Sequence, residues 1–272
     1  MLKRMISRIY RSLGELIILP YAKQLSHNLL ENQKALFDSF GLSFEEGLQR
    51  LDETSIELDG QTFDETDGLN SQHFVMFAAI SKIREIDRIL EIGTYDGRAA
   101  LFMSKLFPQA EIITLDLKDD DDLFVGSYGR KESLDAFIRI RNSNLAKCSN
   151  LTFLQMNSVE LIDTCEEKFQ DGFDLIWIDG AHNYPVVAFD ILNAVRLAND
   201  DAILAVDDVW VSDTQVDSIY KSRGAFESWS QLEDVGLIDN VKYILKRIAW
   251  RRNVLGNQKF IGIARRVKRR DR

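Results

Sequence analysis

From residue 71 to the end of the chain, short apolar runs alternate with longer segments whose apolar residues recur at helical spacing. The runs Ile89–Ile92, 111–117, Leu151–Gln155, Phe173–Ile178 and Ala202–Val206 read as strands. Each is too short for a helix and is bounded by polar or glycine-bearing residues. Between them, 97–106, 132–147, 159–168 and 185–198 read as helices, and Ser71–Glu85 reads as a helix preceding the first strand. Strands that are apolar throughout are those buried on both faces, so the alternation predicts an α/β protein with a mainly parallel sheet. The chain closes with a helix near 224–235 and two strands, about Lys242–Ile248 and Lys259–Arg265, joined by a Gly256-Asn257 turn as a hairpin.

The first 70 residues follow a different pattern and read as a helical extension, with the α/β domain spanning 71–272. Residues 1–24 place Met5, Ile6, Ile9, Leu13, Ile17 and Ile18 on one helical face among basic residues. Helical segments continue over 22–52, broken at Gly41, and Ser43-Phe-Glu-Glu46 has capping-box spacing. Residues 53–70 are polar and turn-rich, and 118–131 form a second polar segment containing the acidic run Asp119–Asp122, read as a solvated loop.

The first strand runs into Glu91-Ile-Gly-Thr-Tyr-Asp-Gly97, and the second ends on Asp116. Strand, glycine turn, helix, and a second strand ending in a carboxylate is the layout of a nucleoside-binding βαβ unit. Gly93 supplies the tight turn, the helix start offers unpaired N–H groups, and Asp116 can accept both hydroxyls of a ribose. The glycines Gly93 and Gly97 do not make G-x-G-x-x-G, and Asp96 would repel a pyrophosphate. This argues against a nicotinamide-dependent oxidoreductase and suits a ligand with a cationic end and no phosphate, as S-adenosylmethionine (SAM) is.

These residues resemble the first motif of class I SAM-dependent methyltransferases, and Asp116 matches their ribose-binding acid. The resemblance covers roughly 71–265 and implies a Rossmann-like seven-stranded sheet, mostly parallel with an antiparallel last strand, flanked by helices. It implies SAM contacts from Glu91, Gly93, Tyr95, Asp96, Gly97, Asp116 and Asp179, with Asn157 and Ser158 near the adenine. Trp177 reads as strand core.

A second constellation lies where strands four and five end, in Asp179-Gly-Ala-His-Asn-Tyr184 and in Asp207-Asp208. Three acids delivered to one sheet edge repel one another, and a hard divalent cation such as Mg²⁺ would relieve that cost. The arrangement resembles the metal-dependent O-methyltransferases of the catechol/caffeoyl-CoA and macrocin types, and 179–184 resembles the D-G-x-H-x-Y group. The resemblance implies Asp179, Asp207 and Asp208 as metal ligands, with Asp179 and His182 catalytic. The sugar-modifying branch places an acid at the position of Ala181, and the catechol branch a lysine at that of His182. His182 is therefore the candidate base, with a loop-orienting histidine as the alternative. The alternative for the Asp207-Asp208 pair is that one acid caps the next helix or meets the SAM ammonium, with no metal bound. His27 and His73 are placed on helices away from the strand ends, as structural or surface residues.

Composition narrows the class further. Apolar residues at 45% and charged residues at 28% suit a globular protein, and Cys148 and Cys165 make no disulfide framework. With no secretory pattern and no apolar run long enough to span a bilayer, a cytoplasmic protein is expected. The net charge of −9 is uneven: Lys3, Arg4, Arg8, Arg11 and Lys23 against Glu15 give residues 1–24 a charge of +4, and 262–272 carry +5. The acidic body argues against nucleic acid. The basic ends are either solvated or meet an anionic membrane or acidic partner, and the N-terminal helices leave a homo-oligomer open. The expected activity is SAM-dependent O-methylation of a small-molecule or saccharide hydroxyl. The alternative is a SAM-binding or partner-binding module without turnover.

Overall fold

The structure is a computed structural model and describes residues 24–67, 70–127, 130–163, 169–211, 223–248 and 258–268. The amphipathic segment 1–23, the Gly256-Asn257 turn and Cys165 lie outside these residues.

A seven-stranded sheet carries the fold: β1 (Arg88–Ile92), β2 (Glu111–Asp116), β3 (Leu151–Gln155), β4 (Phe173–Ile178), β5 (Ala198–Val209), β6 (Ile238–Leu245) and β7 (Phe260–Arg266), in the order β3-β2-β1-β4-β5-β7-β6. Strands β1 to β5 pair in parallel, and β7 lies antiparallel between β5 and β6. The chain switches direction across the sheet between β1 and β4, which is where such sheets open a ligand crevice.

Helices cover both faces. On one side lie α1 (24–40), α2 (Phe44–Asp59), α3 (His73–Ile83) and α4 (Arg98–Leu106); on the other, α7 (Val186–Leu197) and α8 (Arg223–Asp234). Two short elements complete the β2–β3 connection, α5 (Asp122–Gly126) and α6 (Leu134–Leu145). The alternation of side chains across a strand is plain in β4 and β5. Leu175, Trp177, Ile203 and Ala205 enter the core under α1–α4, while Ile176, Ile178, Leu204 and Val206 enter the core under α7 and α8. Each Leu or Ile so buried stabilises by about 1.5–3 kcal/mol before chain entropy is counted. Trp177 is fully buried, as expected for strand core.

The N-terminal helices are part of the first core: Phe37, Phe40, Phe44 and Leu51 pack in the same cluster as Trp177 and Ile203. The Ser43 side chain caps α2 by accepting from the Glu46 N–H at 3.3 Å. This helix runs to Asp59, past the predicted break at residue 52, because the cap that ends it is Gly60 in the left-handed conformation. Other boundaries also moved. The segment read as a helix over 159–168 begins as a 3₁₀ helix, Ser158–Asp163, and 164–168 lie outside the described residues. The polar stretch 118–131 contains α5, which Asp121 caps through the Leu123 N–H at 2.8 Å. Asp119 is not simply solvated, since it pairs with both terminal nitrogens of the buried Arg141 at 2.6 and 3.0 Å. β5 and β6 are longer than their apolar runs because each carries a register shift against β7, at 206–209 and 239–242.

Arg265 and Arg266 begin the basic C-terminal segment, yet both are used inside the fold. Arg265 meets Asp201 at 3.2 Å, and Arg266 donates to the carbonyls of Val195 and Leu237.

Helices α2 and α3 cross closely at Gly47, where an added Cβ would stand 2.7 Å from the Val75 carbonyl and 2.8 Å from the Ala79 Cβ. Gly→Ala in a helix otherwise stabilises by roughly 1 kcal/mol. We expect Gly47→Ala to do the reverse and lower the melting temperature, since overpacking costs roughly 1–3 kcal/mol. Thermal denaturation checks this; a raised melting temperature would mean that the two helices have room to separate.

Candidate active site

The turn after β1 is held by its neighbours on all sides. Gly93 takes φ +100° and its N–H bonds to the Leu115 carbonyl at 2.8 Å. A Cβ there would lie 2.2 Å from the Asp179 carbonyl oxygen. The glycine is thus required by the β4 loop packed against it, and its positive φ supplies the tight turn. Gly97, at φ +74°, is the N-cap of α4. Asp96 accepts from the Arg98 N–H at 3.0 Å, and its carbonyl accepts from Asn144 at 2.9 Å. Arg98 itself points away, onto Asp59 at 2.8 Å. The turn therefore presents carboxylates and N–H groups rather than a phosphate-binding cation.

Asp116, at the end of β2, accepts from the Tyr95 N–H at 2.9 Å and from its neighbour Leu117 at 2.8 Å. Burial pushes its carboxyl above the usual range, opposed by those two N–H bonds and by Arg130 and Arg141. The Arg130 guanidinium lies over the rings of Tyr95, Phe124 and Phe137, at 5.0, 4.3 and 4.5 Å, and forms a wall beside Asp116. Asn157 is exposed and caps the 3₁₀ turn through the Val159 N–H at 3.0 Å, while the Ser158 carbonyl accepts from Asn193 at 3.2 Å.

Glu91 is fully buried beneath this turn. One of its oxygens accepts from Thr114 Oγ1 at 2.5 Å, and Thr114 in turn pairs with Thr94 Oγ1 at 2.6 Å. The other oxygen, Oε1, has no hydrogen-bond partner among the described residues. Burial raises the carboxyl to about 8, with Thr114 opposing and Asp116 and Asp96 adding to the rise.

The second group forms where β4, β5, β6 and β7 meet at the same edge. Asp207 and Asp208 lie within the β5 register shift, two residues opposite one of β7, and Asp208 has φ +54°. In a regular strand two successive side chains point to opposite faces; the bulge turns both acids to one site. Lys246 Nζ contacts Asp207 and reaches Asp208 Oδ1 at 2.6 Å, and Lys259 Nζ meets Asp208 Oδ2 at 2.6 Å. His182 Nε2 stands 3.6 Å from both Asp179 Oδ1 and Asp208 Oδ2. Burial lowers the His182 pKa, against the pull of Asp208 and Asp207, so its neutral form is favoured. Burial also pushes Asp207 up, but Lys246 outweighs it and holds this carboxyl below the usual range. Asp179 goes the other way, raised by burial and by the charges of Asp207 and Asp208. Its side chain keeps 29% exposure, so it faces the cleft.

The predicted acids do converge, but not as an ion's ligand set. Asp207 and Asp208 meet lysine ammonium groups where a divalent cation was expected, and among the described residues no group of three or more His, Cys, Asp or Glu could hold a metal ion. The residues present do not fit Mg²⁺.

His73 was expected as a structural or surface residue away from the strand ends; it is structural, buried, bonded to Ser71 Oγ through Nδ1 at 2.5 Å and stacked on Trp177 at 5.2 Å, but it stands within reach of the β5 acids. Burial lowers its pKa to about 3, with Asp207 opposing and Lys246 adding to the fall. His27 is on the surface, as expected. Lys246 and Lys259 were unforeseen, although the signal was available. A β6 parallel to β5 must end at the carboxyl edge, and an antiparallel β7 must begin there, which brings Lys246 and Lys259 to the acids.

Residues 90–209 match the family model of a methyltransferase domain. The fold matches known structures at low identity. An O-methyltransferase from Streptomyces achromogenes, TomG, solved with SAM, superposes with a TM-score of 0.54 at 17% identity, covering 86% of this chain and 96% of its own. Cofactor-bound Rv0187 from MTB gives 0.51 at 15% identity, covering 89% and 91%. The fold is that of the class I methyltransferases. No curated protein matches the chain in sequence. The matched stretch, 90–209, thus supplies the turn, Asp116, Asp179 and the acid pair, while both lysines come from beyond residue 209.

A raised carboxyl is protonated in the folded state more readily than in the unfolded chain. Stability from Glu91 is therefore full below its ordinary value of 4.5 and falls as pH rises toward about 8. Within that window the loss approaches about 1.4 kcal/mol per pH unit. Melting temperatures of wild type and Glu91→Gln from pH 4 to 9 should diverge upward, with the variant gaining relative stability until about pH 8. Parallel curves would show that Glu91 stays ionised in the fold.

Proposed function

We propose that the protein is a SAM-dependent methyltransferase that methylates a hydroxyl of a small molecule or saccharide. The observation that carries this reading is the placement, on one sheet edge, of a carboxylate-rich nucleoside turn beside a neutral, buried histidine. The match of 90–209 to a methyltransferase domain supports the transfer chemistry, and the likeness to TomG supports the fold on which it would run.

Bound SAM supplies a methyl group on a positively charged sulfur. In this reading Asp116 receives the ribose hydroxyls, and the main chain of 93–97 bounds the methionine portion, with Glu91, Tyr95, Asp96 and Gly97 shaping it. Asn157 and Ser158 lie toward the adenine. Asp179 and His182 face the acceptor. The His182 imidazole, held neutral by burial, accepts the hydroxyl proton at Nε2 as the oxygen takes the methyl group. The imidazolium that forms is stabilised by Asp179 and Asp208, each 3.6 Å away. The enzyme's other contribution is to align oxygen, carbon and sulfur and to exclude water. A cavity of about 340 Å³ lies between α1, α2 and the segment before α3, lined by Leu30, Phe44, Leu48, Phe63 and Gln72. Its lining also carries Lys34, Glu45, Asp64 and Glu65, and it adjoins the site through the Gln72 N–H, which bonds to the Lys246 carbonyl.

The test is calorimetry of S-adenosylhomocysteine binding. Wild type is expected to bind, and Asp116→Ala to lose at least tenfold in affinity with an unchanged circular dichroism spectrum. His182→Ala should bind the cofactor as wild type does yet fail to methylate hydroxyl acceptors in a mass-shift screen. An absence of cofactor binding to wild type would sink the reading.

A further inference from the structure

The acid cluster has a cost that something must offset. Asp207 and Asp208 are 1% and 6% exposed, and Asp179 lies against them. Buried carboxylates at such range are tolerated only when paired. The pairing is already present within the chain. The Lys246 ammonium bridges the two acids of the bulge, Lys259 takes the far oxygen of Asp208, and the Lys246 side chain is itself only 13% exposed.

We propose that Lys246, with Lys259, is the built-in cation of this site, standing where a divalent ion would otherwise bind, so that the site works without one. The inference deepens the reading of this site as a methyltransferase centre and rests on it only for what the acceptor requires. Both oxygens of Asp208 are engaged by lysine, and Lys246 sits on Asp207 Oδ2. An ion seeking oxygen ligands at about 2.0–2.6 Å would have to displace an ammonium group to use either oxygen of Asp208 or Oδ2 of Asp207. It would also add two positive charges beside two existing ones. Two lysines against three acids leave at most one uncompensated negative charge, on Asp179, the acid that faces the cleft. His182 lies between that acid and Asp208, so the lysines act on the reaction through the carboxylates that flank the imidazole. Lys246 and Lys259 are positioning residues in this scheme.

A consequence for specificity follows. A chelated metal ion grips two neighbouring oxygens of its acceptor. A tethered ammonium already satisfied by carboxylates asks for no such pair. The acceptor is held through the single hydroxyl that loses its proton, and vicinal oxygens are not needed.

The experiment is titration of the full chain with MgCl₂ and with MnCl₂, by calorimetry and by thermal shift, each repeated with S-adenosylhomocysteine as a separate titrant. Wild type is expected to show no saturable heat up to millimolar metal and no rise in melting temperature. The double variant Lys246→Met, Lys259→Met should acquire saturable Mn²⁺ binding that Asp208→Asn then removes. Lys246→Arg keeps the charge and should behave as wild type, which guards against reading an unfolded variant as a result. Saturable binding by wild type that Asp208→Asn abolishes would overturn the proposal. A folded double variant that binds no metal would overturn the claim that the lysines hold an ion's place. Because the cofactor is titrated separately, a failure of S-adenosylhomocysteine to bind would count against the methyltransferase reading and leave the lysine result standing.

Discussion

Burial of the sheet on both faces is the constraint from which the rest follows. Strands β1, β4 and β5 have helices above and below, so their central stretches, Ile89–Leu90, Leu175–Ile178 and Ala202–Val206, are apolar throughout. Chemistry can leave such a sheet only where the strands end. Asp116 ends β2, Asp179 follows β4, and the Asp207-Asp208 pair lies in the bulge at the end of β5. Glu91, one residue short of the end of β1, stays beneath the turn and is driven toward its neutral form by burial.

The two halves of the site are solved by different means. Around β1 and β2 the carboxylates are satisfied by backbone N–H groups, as when Asp116 accepts from Tyr95 and Asp96 from Arg98. This half is local in sequence and ties the turn to the neighbouring strand. Around β5 the carboxylates are satisfied by side chains from the last hairpin, nearly forty residues or more away in the chain. The bulge makes this possible by turning two successive acids to one side. Without it, one of the pair would face a helix layer with no partner.

What was legible in the sequence divides along the same line. β3 and β4 were read to the residue because Leu151–Gln155 and Phe173–Ile178 are uninterrupted apolar-rich runs between polar breaks. The turn at Gly93, its acids and the inward placement of the last strand were also readable, since they depend on local pattern and on a recognisable order of elements. The extent of β5 and β6 was not, because ladder pairing carries both strands through register shifts that leave no apolar signature. Nor was the occupant of the acid cluster. A row of acids implies a cation, but only the three-dimensional meeting of β5 with the hairpin shows that the cation is lysine. His73 was misplaced for a similar reason: its helix appears remote along the chain, yet its first turn packs over Trp177 and reaches the end of β5.

The inserted position of β7 gives the chain a particular folding problem. The first five strands can pair among themselves as they form, but β5 then presents an unpaired edge and two carboxylates with no counter-charge. Docking of the final hairpin closes that edge and neutralises those acids in a single event. Sheet completion and charge compensation are therefore one cooperative step, dependent on contacts distant in sequence, which is the slow kind to form. A chain caught before that step would hold a nearly finished β1–β2 half beside an electrostatically open one. The acid–lysine cluster is thus completed by the same pair of strands that closes the edge of β5.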